Sequence, residues 1–101
     1  MIIRIDLNKM NNKTVILAKS KDSVVCINSK KTNYNFTSFS KQVVEITQKW
    51  PNKMIGTACD GLIVKVVIIE NRNKRKHYLY NDFPSNILEL LNLIKEVANN
   101  E

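Results

Sequence analysis

Leu62-Ile63-Val64-Lys65-Val66-Val67-Ile68-Ile69-Glu70 decides how this chain folds. Apart from Lys65, odd and even positions alike are apolar up to Ile69. A strand built from it is hydrophobic on both faces and belongs in the interior of a sheet, covered on both sides. Asn71 to Lys74 then reads as a turn, and Arg75 to Tyr80 as the returning strand. Arg72, Lys74, Arg75 and Lys76 put four of the sixteen Lys/Arg residues into this hairpin tip. Along the returning strand Arg75, His77 and Leu79 point one way, and Lys76, Tyr78 and Tyr80 the other.

Upstream, Lys53 to Cys59 reads as a strand joined to Leu62 by Asp60-Gly61. Asp-Gly between two apolar runs signals a tight hairpin, because a type I′ turn needs positive φ at both positions. The start of the chain gives three more strands. Ile3, Ile5 and Leu7 alternate with Arg4 and Asp6. Asn8 to Lys13 is polar, with Asn11-Asn12 a natural turn. Thr14 to Lys19 and Ser23 to Asn28 are β-branched runs joined through Ser20-Lys21-Asp22, and Ser29 to Asn35 reads as a polar loop.

Two segments switch to helical period. Phe39, Val43, Ile46 and Trp50 form one stripe, with Thr37 or Ser38 as N-cap and Pro51 as the stop. Ile87, Leu90, Leu91, Ile94, Val97 and Ala98 form the other. Pro84 stands just before it, and Asn86 with Glu89 has capping-box spacing. Phe83, Tyr78 and Tyr80 read as packing groups tying the last loop to the sheet. The order βββ-α-βββ-α gives a single α+β domain over residues 1–101, a mainly antiparallel sheet of about six strands with two helices. The doubly apolar strand leaves two arrangements. Either the helices split between the faces, or part of one face is covered by a protein partner or a second copy in a homodimer.

The 101 residues carry 16 Lys/Arg against 9 Asp/Glu, a net charge of +7. That balance favours anionic partners, whether nucleic acid, acidic protein or acidic lipid. Fourteen Asn accompany the lysines, a pairing that AT-rich coding also produces, so charge alone names no partner. No apolar run reaches the ~18–20 residues that span a bilayer. The alternating N-terminus, with both charge signs, is unlike a signal peptide, and the expected location is the cytoplasm, with no membrane association. Cys26 and Cys59 are then expected as buried free thiols. Two thiols and a distant His77 are too few for a metal site, and no cofactor is implied.

No phosphate loop, paired-His motif or nucleophile elbow is present, so no catalytic residue is assigned and a non-enzymatic protein is expected. The weaker catalytic option is a small ribonuclease with His77 as base and Lys76 or Arg75 stabilising developing charge. Without that role, His77 reads as an exposed histidine on a hairpin strand. Arg72, Lys74, Arg75, Lys76, His77, Tyr78 and Tyr80 are the expected partner-binding residues. Cations interleaved with rings suit nucleic acid, although a charged edge strand also guards against aggregation. Lys30-Lys31 with Tyr34 is a second basic and aromatic group.

Asp60-Gly61-Leu62-Ile63-Val64-Lys65-Val66-Val67-Ile68-Ile69, a charged turn, and Tyr78-Leu79-Tyr80-Asn81-Asp82-Phe83-Pro84-Ser85-Asn86-Ile87 leading into a Leu/Ile helix resemble the small immunity proteins of bacterial contact-dependent and polymorphic toxin systems. The resemblance covers roughly the C-terminal half and is one of overall build. It implies a non-enzymatic, cytoplasmic inhibitor that binds a cognate toxin domain tightly. Given the basic charge, that toxin is expected to carry an acidic surface. A small nucleic-acid-binding domain is the alternative.

Overall fold

The computed structural model describes residues 1–57 and 61–101. The expected site of the second thiol, Cys59, and the first turn residue, Asp60, lie outside the described residues. The strands are β1 (Ile2–Lys9), β2 (Asn12–Lys19), β3 (Val24–Ile27), β4 (Lys30–Lys31), β5 (Lys53–Ile55), β6 (Leu62–Glu70) and β7 (Asn73–Tyr80). The helices are α1 (Phe36–Thr47) and α2 (Ile87–Ala98). One seven-stranded sheet runs in the order β4-β3-β2-β1-β6-β7-β5. The α+β architecture is as expected. The additional strand, β4, is a two-residue piece inside the segment expected to be a loop.

Burial alternates along the strands because successive side chains point to opposite faces. Ile3 and Ile5 of β1, Ile16 and Ala18 of β2, Val25 and Ile27 of β3, Val64, Val66 and Ile68 of β6, and Leu79 of β7 are all buried. The registers align them: Ile3 opposes both Ala18 and Ile68, and Ile5 opposes both Ile16 and Val66. They therefore share one face. The core is completed by Phe39, Val43 and Trp50 from the α1 region and by Leu90, Leu93, Ile94 and Val97 of α2. Each such side chain contributes ~1.5–3 kcal/mol by leaving water. Both helices thus cover the same face, which removes the split arrangement. The thinnest molecular dimension, 18 Å, accommodates two layers and not three.

α1 is capped two to three residues earlier than the Thr37 or Ser38 expectation. Asn35 is its cap, its Oδ1 accepting from the Ser38 N–H at 2.8 Å. The helix ends at Thr47, ahead of Pro51, and Trp50 packs into the core from the connection. The capping-box expectation at α2 fails for a physical reason. The Asn86 side chain is engaged elsewhere: it accepts from Trp50 Nε1 at 2.7 Å and donates to the Ile46 carbonyl at 2.8 Å.

The largest departure is β5. It does not pair with β6 as a hairpin partner. It lies beyond β7 and runs parallel to it, with Lys53, Met54 and Ile55 opposite Tyr78, Leu79 and Tyr80. Gly61 has φ +71°, so it does bend the backbone as expected. β5 and β6, however, are not neighbours in the sheet. β5 is bounded by Tyr78 N–H donating to the Asn52 carbonyl and Gly56 N–H donating to the Tyr80 carbonyl, both 2.8 Å. Close approach explains Gly56: an added Cβ would run into the Asn81 carbonyl and Asp82 Cβ.

Candidate interaction surface

With both helices on one face, the other face of the sheet is open. The registers order its side chains into rows. One row runs Tyr78, Lys65, Asp6, Val15. The next runs Lys76, Val67, Arg4, Leu17, Cys26 and Lys31. A third runs Lys74, Ile69, Ile2, Lys19 and Val24. Val67, Ile69, Leu17, Val24 and Cys26 are half-buried, an apolar stripe flanked by exposed lysines. Along the β5 side, Lys53 stands beside Tyr78, and Ile55, 59% exposed, beside Tyr80. Among the described residues, Asp6 is the one carboxylate in these strand rows. It is already paired: Arg4 Nε and Nη2 donate to its two oxygens at 3.0 and 3.2 Å. Asp6 in turn raises the Arg4 pKa, mainly through these hydrogen bonds. Lys65 Nζ lies 5.5 Å from the Tyr78 ring centre, a cation–π contact that orients the phenol across the face.

The expected binding residues divide between two environments. Lys74, Lys76, Tyr78 and Tyr80 are on the open face, and Arg72 is exposed in the turn. Arg75 and His77 point to the helices. Arg75 is half-buried, with Nη2 donating to Thr47 Oγ1 at 2.8 Å. His77 is 2% exposed, which overturns its reading as an exposed strand residue. Its Nδ1 meets the Pro51 carbonyl at 2.9 Å, and its ring stands edge-to-face with Trp50 at 5.9 Å. Burial, assisted by the Arg75 charge, lowers its pKa below 6.5 even though the Pro51 carbonyl favours the protonated ring. The imidazole is thus packed into the core beside Trp50.

Tyr34 also departs from expectation. Its hydroxyl donates to Glu96 Oε2 at 3.0 Å and accepts from Gln42 Nε2 at 2.9 Å, and its ring abuts Phe39. It ties the two helices together and forms no aromatic group with Lys30 and Lys31. Tyr78 and Tyr80 face outward and do not anchor the last loop; Phe83 packs against the core there. Cys26 is a free thiol, half-buried on the open face and not in the core. Arg4, Leu17, Lys53, Lys65 and Val67 were not among the expected binding residues. The available signal was the second apolar face of β6 interrupted by Lys65; their grouping required the register.

Comparison with known proteins finds no family model, no curated protein and no solved structure that matches the chain.

Proposed function

We propose that this chain is a non-enzymatic binding module whose open sheet face holds an acidic surface of another protein. Its most concrete form is an immunity protein that neutralises a cognate toxin domain by tight binding. One observation carries the reading: among the described residues, an aliphatic stripe, Leu17, Val67 and Ile69, lies among lysines without an ion-pair partner, and the one carboxylate in the strand rows is already engaged. An apolar centre with a charged surround is the anatomy of a protein interface. The surplus positive charge accelerates encounter with an acidic partner and selects against basic ones. The build of the C-terminal half, which resembles small immunity proteins, supports the toxin-binding form.

A second reading, a nucleic-acid-binding face, is favoured by the same cations beside Tyr78 and Tyr80. Against it, the centre of the face is aliphatic, and the two rings lie towards one edge, whereas single-stranded nucleic acid is held by successive stacking platforms. A symmetric dimer through this face would oppose like charges.

The test is recovery of the partner from the native cell after nuclease treatment, comparing the natural chain with Val67→Glu. A stoichiometric protein with an acidic surface is expected, its affinity falling about 30-fold or more in the variant. Retention of RNA or DNA alone, released by nuclease, would transfer the face to the second reading. Equal capture of the protein by Val67→Glu would remove this face from the interface.

A further inference from the structure

The open face ends at an unfinished sheet edge. At one side of the sheet, β4 covers β3, and Thr32 closes the border with its N–H and Oγ1 donating to the Val25 carbonyl at 3.0 and 2.7 Å. The side formed by β7 is different. β5 pairs only with Tyr78–Tyr80, whereas β7 begins at Asn73. Chain geometry prevents β5 from extending further. Asn52 supplies the last carbonyl, Pro51 gives its carbonyl to His77, and Trp50 already lies in the core. The chain therefore leaves the sheet plane at Pro51, and β5 ends as a step one strand spacing deep, ~4.8 Å.

The direction of the free groups follows from the bonds made. Within a strand, alternate residues aim N–H and C=O to opposite sides. The Tyr78 N–H and the Tyr80 carbonyl both bond towards β5. Lys76 and Lys74, two and four residues earlier, aim theirs to the same side, into the step. The step is lined by Lys53, Ile55, Lys74, Arg75, Lys76 and Tyr78. Among the described residues its walls carry three lysines and no carboxylate, while the Arg75 guanidinium is turned towards Thr47. Bare strand edges are usually blunted or covered, because they accept any compatible strand. Here the lysines exclude basic and apolar strands and admit an acidic one.

We infer that the β7 edge at Lys74 and Lys76 accepts an extended acidic segment of a protein partner as an added strand. Backbone hydrogen bonds to Lys74 and Lys76 supply the fixed part of the contact. Acidic side chains on the open side of the segment meet the Lys74 and Lys76 ammonium groups. This deepens the proposed function and rests on it, since it assigns the partner's secondary structure at one border of the same face.

A short capped peptide alternating Glu and Val is the probe, with a copy N-methylated along the edge-facing amides as its charge-matched control. Titrating the full chain, followed by amide exchange in NMR, is expected to slow exchange at Lys74 and Lys76 about tenfold or more. Lys74→Gln removes a charge and keeps the N–H. Lys74→Pro also removes the N–H, which points out of the sheet, so pairing with β6 persists. Lys74→Pro is expected to bind the peptide about tenfold more weakly than Lys74→Gln. Lys76→Pro repeats the comparison should Lys74→Pro disturb the hairpin. Absence of peptide binding, equal binding of the methylated copy, or equal affinities of the Pro and Gln variants would each overturn the edge proposal. If Val67→Glu abolishes capture of the native partner while the Pro variants retain it, only the edge proposal fails; if Val67→Glu also retains it, the reading of the face fails with it.

Discussion

His77 shows how far one side chain's environment can depart from its sequence context. It stands between Lys76 and Tyr78 in a basic strand, yet it is buried against Trp50 and the Pro51 carbonyl, with the Arg75 charge nearby. Its folded pKa lies below 6.5, so the unfolded chain binds the proton more readily. Stability is therefore complete above about pH 6.5 and declines as pH falls from there through the folded pKa, where the loss ends. The urea midpoint, read from the fluorescence of the single Trp50, should drop as pH falls through about 6.5 and below, and His77→Leu should flatten that slope. An unchanged slope in His77→Leu would assign the acid sensitivity to other groups. Asn86 is a second case, bracing Trp50 and the Ile46 carbonyl at once. Asn86→Ala should cost ~1–3 kcal/mol by leaving both without a partner, measured as a lower urea midpoint. The sequence displays fourteen Asn as a compositional bias, and several have assigned work: Asn35 caps, Asn86 braces, and Asn28, Asn71 and Asn81 hold positive φ. Residue type alone could not reveal those tasks, because each depends on what the fold brings opposite.

At the scale of elements, strongly periodic segments were readable and sparsely patterned ones were not. The alternation in β1 and β2, the two apolar faces of β6 and the stripes of α1 and α2 each reflect which side chains leave water, a local property of the sequence. β4 has two residues, both Lys, and nothing apolar to reveal it. β5 was visible as a strand, but its neighbour was not, because Asp60-Gly61 signals a reversal without specifying which strand is met afterwards. α1 depends on its cap: Asn35→Ala should destabilise by ~1 kcal/mol, with a matching fall in thermal midpoint by circular dichroism. Attachment of β5 depends on the tight fit at Gly56. Gly56→Ala should loosen β5 from β7, because Asn81 backbone rather than a flexible side chain blocks the added methyl. Faster amide exchange at Tyr78 and Gly56, with β1 and β6 unaffected, is the expected signature.

The whole molecule separates its duties by layer: the helices complete the core on one side of the sheet, and the other side is left basic and partly apolar. That the charged hairpin belongs to a wider face was hidden in the sequence, since Arg4, Leu17 and Lys31 join Lys76 only through pairings between distant strands. Arg72 and Lys74 lie at its border, so reversing both to Glu should slow association with the recovered partner about three- to tenfold and weaken its salt dependence, seen in stopped-flow traces over a salt series. An unchanged association rate would restrict steering to the interior of the face. The position of β5 also imposes an order on biosynthesis. The strand it pairs with, β7, lies more than a dozen residues downstream and beyond β6. While the chain is emerging from the ribosome, Lys53–Ile55 is made before anything exists for it to join, and Trp50 must wait for His77 and Asn86 to reach its final surroundings. β1 and β2 can close as soon as they appear, whereas this corner matures last. A chain ending at His77 and held clear of the ribosomal tunnel by a flexible linker should therefore remain open to protease near Met54, and the full chain should not.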